Sequence, residues 1–169
     1  MKNFKSIALA FLLLVGATSF VNAQSKVAHI DTQALLMAMP EMKAAQSQLE
    51  KLQKTYDTEI KNLMKEYEAK VTQYGNEQDS KTEAENIARA QEVQEMQNNI
   101  AAYREQAIQD LRKKEVDVFN PIREKAQAAI QKVARSLGYQ YVLDSASGSG
   151  ILLADGKDLL PDVKKEMGI

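Results

Sequence analysis

His29 is the only histidine among 169 residues, and no cysteine is present. A Ser/His/Asp or Cys/His nucleophilic set therefore has at most one base to draw on. That histidine lies in the short run KVAHID beside Asp31, a setting where it is more often a structural polar residue than a catalyst. The acidic pairs Glu66/Glu68 and Glu83/Glu85 are two positions apart. On a helix or turn surface such residues face different ways, so they are solvated charges and not an acid–base pair. No G-x-x-x-x-G-K-[ST] phosphate loop occurs, and no carboxylate run has calcium-loop spacing. Without cysteine there is no disulfide framework, thiolate metal site or lipid-attachment residue. The residues that could do chemistry predict no catalysis, no cofactor and no metal.

Charge and length narrow the remaining classes. Twenty-two basic residues stand against 23 acidic ones, which argues against nucleic acid as the main partner. The chain opens with Lys2 and Lys5, the apolar run Ile7 to Val15, and the small-residue site Val21-Asn22-Ala23. That order predicts a secretory signal peptide cut after Ala23 and an exported protein. The apolar run is shorter than the ~20 residues a membrane span needs. An exported chain without disulfides must be held by packing or by self-association. Aromatic residues make up 6% and tryptophan is absent, so an extended domain is expected in place of a thick globular core.

The elements that would position these residues are mostly helical. After a predicted strand over Lys26 to Ile30, Asp31 is placed to cap a short helix, TQALLMAM, that Pro40 interrupts. From Met42 to Tyr74 apolar residues recur in steps of three and four, a continuous stripe on one helix face. The polar run Gly75 to Glu83 reads as a turn, with Thr82 or Ser80 as the next helix cap and Glu83 or Glu85 in its first turn. A second stripe then runs from Ile87 to Leu137. If the chain reverses near residue 79, facing positions sum to about 159, and the apolar partners match. The predicted hairpin core is Leu49, Tyr56, Ile60, Leu63, Met96, Ile100, Tyr103 and Leu111, with Met42 opposite Val118 and Val71 opposite Ile87. One rung fails, since Ala45 would face Glu115. Pro121 predicts a kink in the returning helix and a candidate hinge, and Gly138 a helix stop.

Two β-type runs follow, Tyr139 to Asp144 and Ile151 to Ala154, joined by a Ser/Gly loop. Asp155-Gly156 then suggests a turn, and Pro161 the start of a short last helix ending before Gly168. Three short strands cannot stand alone in water, and their free edges are best covered by copies of the same chain. The expected fold is α+β, predominantly α: a long antiparallel coiled-coil hairpin on a small β-sheet base that oligomerises. The base comprises residues 24–40 and 138–169, the arm 41–137 and its tip about 75–83. Base assembly is assigned to Val27, Ile30, Tyr141, Val142, Leu143, Ile151 and Leu152. Little apolar surface is left on the arm, chiefly Tyr74, Ile108 and Phe119. The arm carries six basic against ten acidic residues from Tyr56 to Arg104, but seven basic against three acidic from Arg112 to Arg135.

The segments KVAHIDTQALLMAMPEMKAAQSQLEKL, NPIREKAQAAIQKVARSLGYQYVLD and DLLPDVKKEMGI, in that order, resemble the Skp/OmpH family of periplasmic chaperones. The resemblance covers nearly all of the chain after residue 23. It implies a homotrimer whose base sheets assemble and whose three arms enclose unfolded outer-membrane proteins without ATP. Tyr74, Ile108 and Phe119 would then be candidate client contacts, and flexing near Pro121 would fit the cavity to its client. Some family members have strongly basic arms linked to lipopolysaccharide; the acidic tip here argues against lipopolysaccharide binding. Leu160 stands where the family often has a Thr cap, so fraying of the last helix is expected. The competing reading is an exported coiled-coil adaptor or spacer of the cell envelope.

Overall fold

The computed structural model describes residues 26–169, so the predicted signal peptide lies outside it. Strand β1 (Val27–Ile30) leads into helix α1 (Thr32–Ala38), whose N-terminus Asp31 caps by accepting the Ala34 N–H at 2.8 Å. Met39 is extended because Pro40 follows it, and Pro40 then occupies the first turn of α2 (Pro40–Glu77). This one-residue break turns Met39 fully inward, with no exposed surface.

Helix α2 does not stop at Gly75. It runs to Glu77, and a single 3₁₀ turn (Gln78–Ser80) reverses the chain. Gly75 has ordinary helical backbone, so the predicted turn begins three residues late; one glycine costs a helix only ~1 kcal/mol. Thr82 opens α3 (Glu83–Ser136) with a full capping box, its hydroxyl accepting from the Glu85 N–H and the Glu85 carboxylate accepting from the Thr82 N–H. Helix α3 is 54 residues long and passes through Pro121 without a break. It ends in a Schellman turn: Gly138 takes φ +80°, and the Tyr139 N–H donates to the Ala134 carbonyl at 2.9 Å.

Helices α2 and α3 form the antiparallel hairpin. Tyr56 meets Tyr103 edge-to-face, ring centres 5.9 Å apart, as the ladder requires. Charged flanks run in the same sense, with Lys70 against Glu92, Glu77 against Arg89, and Glu41 against Lys125. Ala45, the failed rung, is buried in the sheet-end core that also holds Ile122 and Ala126.

The hairpin serves as one long crossover between parallel strands. Strand β2 (Tyr141–Asp144) pairs parallel with β1, Val27 opposite Tyr141 and Ile30 opposite Asp144. Strand β3 (Lys157–Asp158) pairs parallel on the other edge, and helix α4 (Leu160–Met167) closes the chain. The order is therefore β2-β1-β3, with the N-terminal strand in the centre. This corrects the expected third strand. Residues 151–154 are irregular, Leu152 is fully exposed and Leu153 77% exposed. The apolar run joins no strand, whereas Lys157 and Asp158 reach the free side of β1. The N-cap position of α4 is Leu159, and Asp158 just before it accepts the Leu160 N–H at 2.8 Å. Leu159 at the helix start is fully buried, and Gly168 closes the helix at φ +72°. The absent threonine cap has a substitute two residues before Leu160.

The core lies under this sheet. Alternation along β1 turns Ala28 and Ile30 inward and leaves Val27 and His29 on the other face. Leu35, Met39, Val133, Leu159 and Val163 complete the buried cluster.

Candidate functional site

Exposed apolar side chains gather on two surfaces of the described residues. Among the described residues no group of three or more His, Cys, Asp or Glu could hold a metal ion. Nor is any helix among them long and apolar enough to cross a membrane.

The first surface is the outer face of the sheet. In-register parallel strands place side chains on a common face, so Val27 and His29 stand beside Tyr141 and Leu143. Tyr141 is 66% exposed and Leu143 43%. Val142, by contrast, packs toward the core with Ile30, so these two of the predicted assembly residues face inward. Ile151 is half-buried and Leu152 open to solvent.

The second surface is the hairpin. Its predicted core is thin in the single chain: Ile100 is buried, while Leu49, Tyr56, Ile60, Leu63, Met96, Tyr103 and Leu111 are half-buried. The tip rung stays open, with Val71 41% and Ile87 54% exposed. Of the three candidate contacts, Ile108 is exposed and free. Tyr74 is not a bare ring. Its hydroxyl donates to Glu92 and accepts from Lys70 at 2.9 Å, and the Arg89 guanidinium stacks 4.5 Å from its centre. Phe119 packs on the sheet-end core, with Arg123 over its ring at 5.9 Å. Val116, eight residues from Ile108 on the same helix, is exposed and escaped the sequence reading. Its spacing of two turns plus one residue is the signal that would have found it.

Charge on the arm is also redistributed by folding. Lys70, Lys81 and Arg89 are all committed to carboxylates of the hairpin, Glu92, Glu85 and Glu77. The Tyr74 hydroxyl and then Lys70 hold Glu92 below its ordinary range, and Gln73 and then Arg89 do so for Glu77. The tip's cations are spent internally, which leaves Glu66, Glu68, Asp79, Glu83 and Glu95 outside any ion pair among the described residues. Near the sheet end Arg112, Lys113, Lys114 and Arg123 are likewise outside one. The arm therefore presents an acidic tip and a more basic root.

The described residues form a helical hairpin raised on a small parallel sheet, with exposed apolar side chains on both parts. The family model described as "Outer membrane protein (OmpH-like)" matches residues 26–167, and the chain belongs to that family. It is 25% identical over 162 residues to the Chaperone protein Skp of Pectobacterium atrosepticum, covering 92% of this chain and 93% of that one. To the Chaperone protein Skp of Yersinia enterocolitica it is 23% identical over 156 residues, with the same coverages. The fold is similar to that of an OmpH-like protein from Caulobacter crescentus. The TM-score is 0.76 at 12% identity, over 85% of this chain and 83% of that one.

Proposed function

We propose that the protein is an ATP-independent holding chaperone of the periplasm. It would bind unfolded outer-membrane proteins between its arms and suppress their aggregation, working as a homotrimer joined through the sheets. The observation that carries this reading is the match to two Skp chaperones along almost their whole length and its own. The exposed Ile108 and Val116 on a two-helix arm support it, since weak apolar contacts repeated on several arms give reversible avidity. Residues 26–40 and 138–169 would form the assembling base and residues 41–137 the arm. The acidic tip is a poor match for lipopolysaccharide.

The test uses residues 24–169 and an outer-membrane β-barrel protein unfolded in urea, diluted together without ATP and followed by light scattering. Suppression near one trimer per client is expected. A folded, oligomeric protein that leaves aggregation unchanged would favour the adaptor or spacer reading instead. Within a suppressing protein, Ile108→Ser with Val116→Ser is expected to weaken client binding several-fold while leaving helix content and mass unaltered. Unchanged client affinity would place the contacts elsewhere on the arm.

A further inference from the structure

The outer part of the arm is held together differently from the rest of the hairpin. From residue 61 round the tip to residue 99, no side chain is buried. Leu63, Tyr67, Val93 and Met96 are half-buried, and Val71 and Ile87 are exposed. Coming back from the tip along α3, Ile100 is the first buried side chain and Ala107 the next. An open cavity of about 270 Å³ lies against the tip, lined in part by Val71, Tyr74, Ala90 and Val93. Apolar burial this incomplete contributes little to keeping two helices together.

A polar clasp at the far end closes this stretch. Lys70 on α2 donates to Glu92 on α3 at 2.9 Å, and the Tyr74 hydroxyl donates to the same carboxylate. Arg89 Nη2 donates to Glu77 at 2.5 Å, while its guanidinium lies over the Tyr74 ring. Across the turn, the Asn86 amide donates to the Gln78 carbonyl at 3.0 Å. Toward the sheet, the next polar link between the helices is Tyr56 to Asp110, already beyond Ile100. The clasp therefore fastens the end of a weakly packed stretch.

Two features leave the clasp easy to undo. Lys70 and Glu92 are each more than 40% exposed, and ion pairs in water contribute little. Arg89 Nη1 is buried with no acceptor among the described residues. A guanidinium held that way gains hydration when the helices part, which offsets part of what opening loses.

We propose that the outer arm, residues 61–99, opens as one unit while the hairpin from Ile100 to the sheet stays closed, and that Arg89 is the residue that fastens it. Opening parts α2 from α3 back to Ile60 and Ile100. It uncovers Leu63, Tyr67, Val71, Val93 and Met96, which the closed arm shares between its two helices. Neither assembly nor a client is needed for this motion. The chaperone reading bears only on what the uncovered stripe would hold, so the two stand or fall separately.

Hydrogen exchange of residues 24–169, followed by mass spectrometry and corrected for intrinsic rates, reads the opening. Amides of 61–77 and 83–99 should be protected roughly tenfold less, or lower still, than those of 100–111. Arg89→Ala should cost both outer stretches roughly a further tenfold, as far as Leu63 and Met96, with 100–111 unchanged. Tyr74→Phe keeps a ring beside the guanidinium, so a smaller loss over the same residues is expected. Wild-type outer amides as protected as 100–111 would overturn the proposal. So would an Arg89→Ala effect confined to 78–88, or one that spreads equally into 100–111. Light scattering with the same wild-type protein is scored apart: failure to suppress aggregation would sink the chaperone reading and leave the opening intact.

Discussion

Asp144 closes the sheet at the top of β2. It accepts from the Thr32 hydroxyl at 2.7 Å, the Thr32 N–H at 3.2 Å and the Ala146 N–H at 3.0 Å. Burial pushes its carboxyl upward, but the Ala146 and Thr32 hydrogen bonds outweigh it and the net direction is down. A carboxyl depressed on folding contributes stability above the unfolded carboxylate range, and that contribution is lost as pH falls through the folded value. Asp144→Asn should therefore lower the melting midpoint at pH 7 and flatten its decline between pH 5 and 3. Parallel midpoint curves for the two proteins would show that these contacts contribute nothing. At this scale the sequence was legible where a motif is local: Asp31, Thr82 with Glu85, and Gly138 each take the capping or stopping role their spacing implies. Tyr74 was not, because its partners Lys70, Arg89 and Glu92 come from both helices.

Helix α3 raises a question at the level of the element. Pro121 has no N–H to donate to Asp117, and its ring crowds that carbonyl, yet the helix is continuous on both sides. Packing supplies the reason: Ile122 and Ala126 just beyond the proline are buried, and Val118 just before it packs on the same cluster. Tertiary contacts hold a helix that its local sequence weakens. Pro121→Ala is expected to raise unfolding stability by up to ~3 kcal/mol. If Pro121 is also the hinge we propose, the variant should narrow the distribution of tip-to-tip distances between spin labels on the arms. A lower melting midpoint would mean that the surrounding core is fitted to the proline-containing helix. The apolar period made the hairpin readable, since steps of three and four fix which face is buried. The end of α2 was misplaced by the Gly75-Asn76 pair, whose turn preference is weaker than the propagation of a helix already 35 residues long at that point.

For the molecule as a whole, apolar surface is divided between places that bury it and places that keep it. Leu35, Met39, Leu159 and Val163 are fully buried under the sheet, while Tyr141, Leu143, Leu152 and Leu153 remain outside. If the outer set is an assembly face, Leu152→Ser with Leu153→Ser should weaken self-association at least tenfold and leave the monomer's helix content unchanged. Sedimentation and circular dichroism read the two effects separately. Loss of helix content would instead place those leucines within the monomer's own stability. Undiminished association would move the interface to another face.

Composition and periodicity by themselves determined the helical hairpin, its antiparallel register and its caps. These follow from residues within a few positions of one another or from a repeat sustained over many turns. Only the tertiary structure decided that the N-terminal strand is central, that both its neighbours run parallel, and that Lys157–Asp158 takes the edge the Ile151–Ala154 run was expected to fill. Strand pairing joins segments more than a hundred residues apart, and β propensity states that a segment can pair without stating with what. Which apolar run is paired within the chain and which stays exposed depends on where the hairpin returns it.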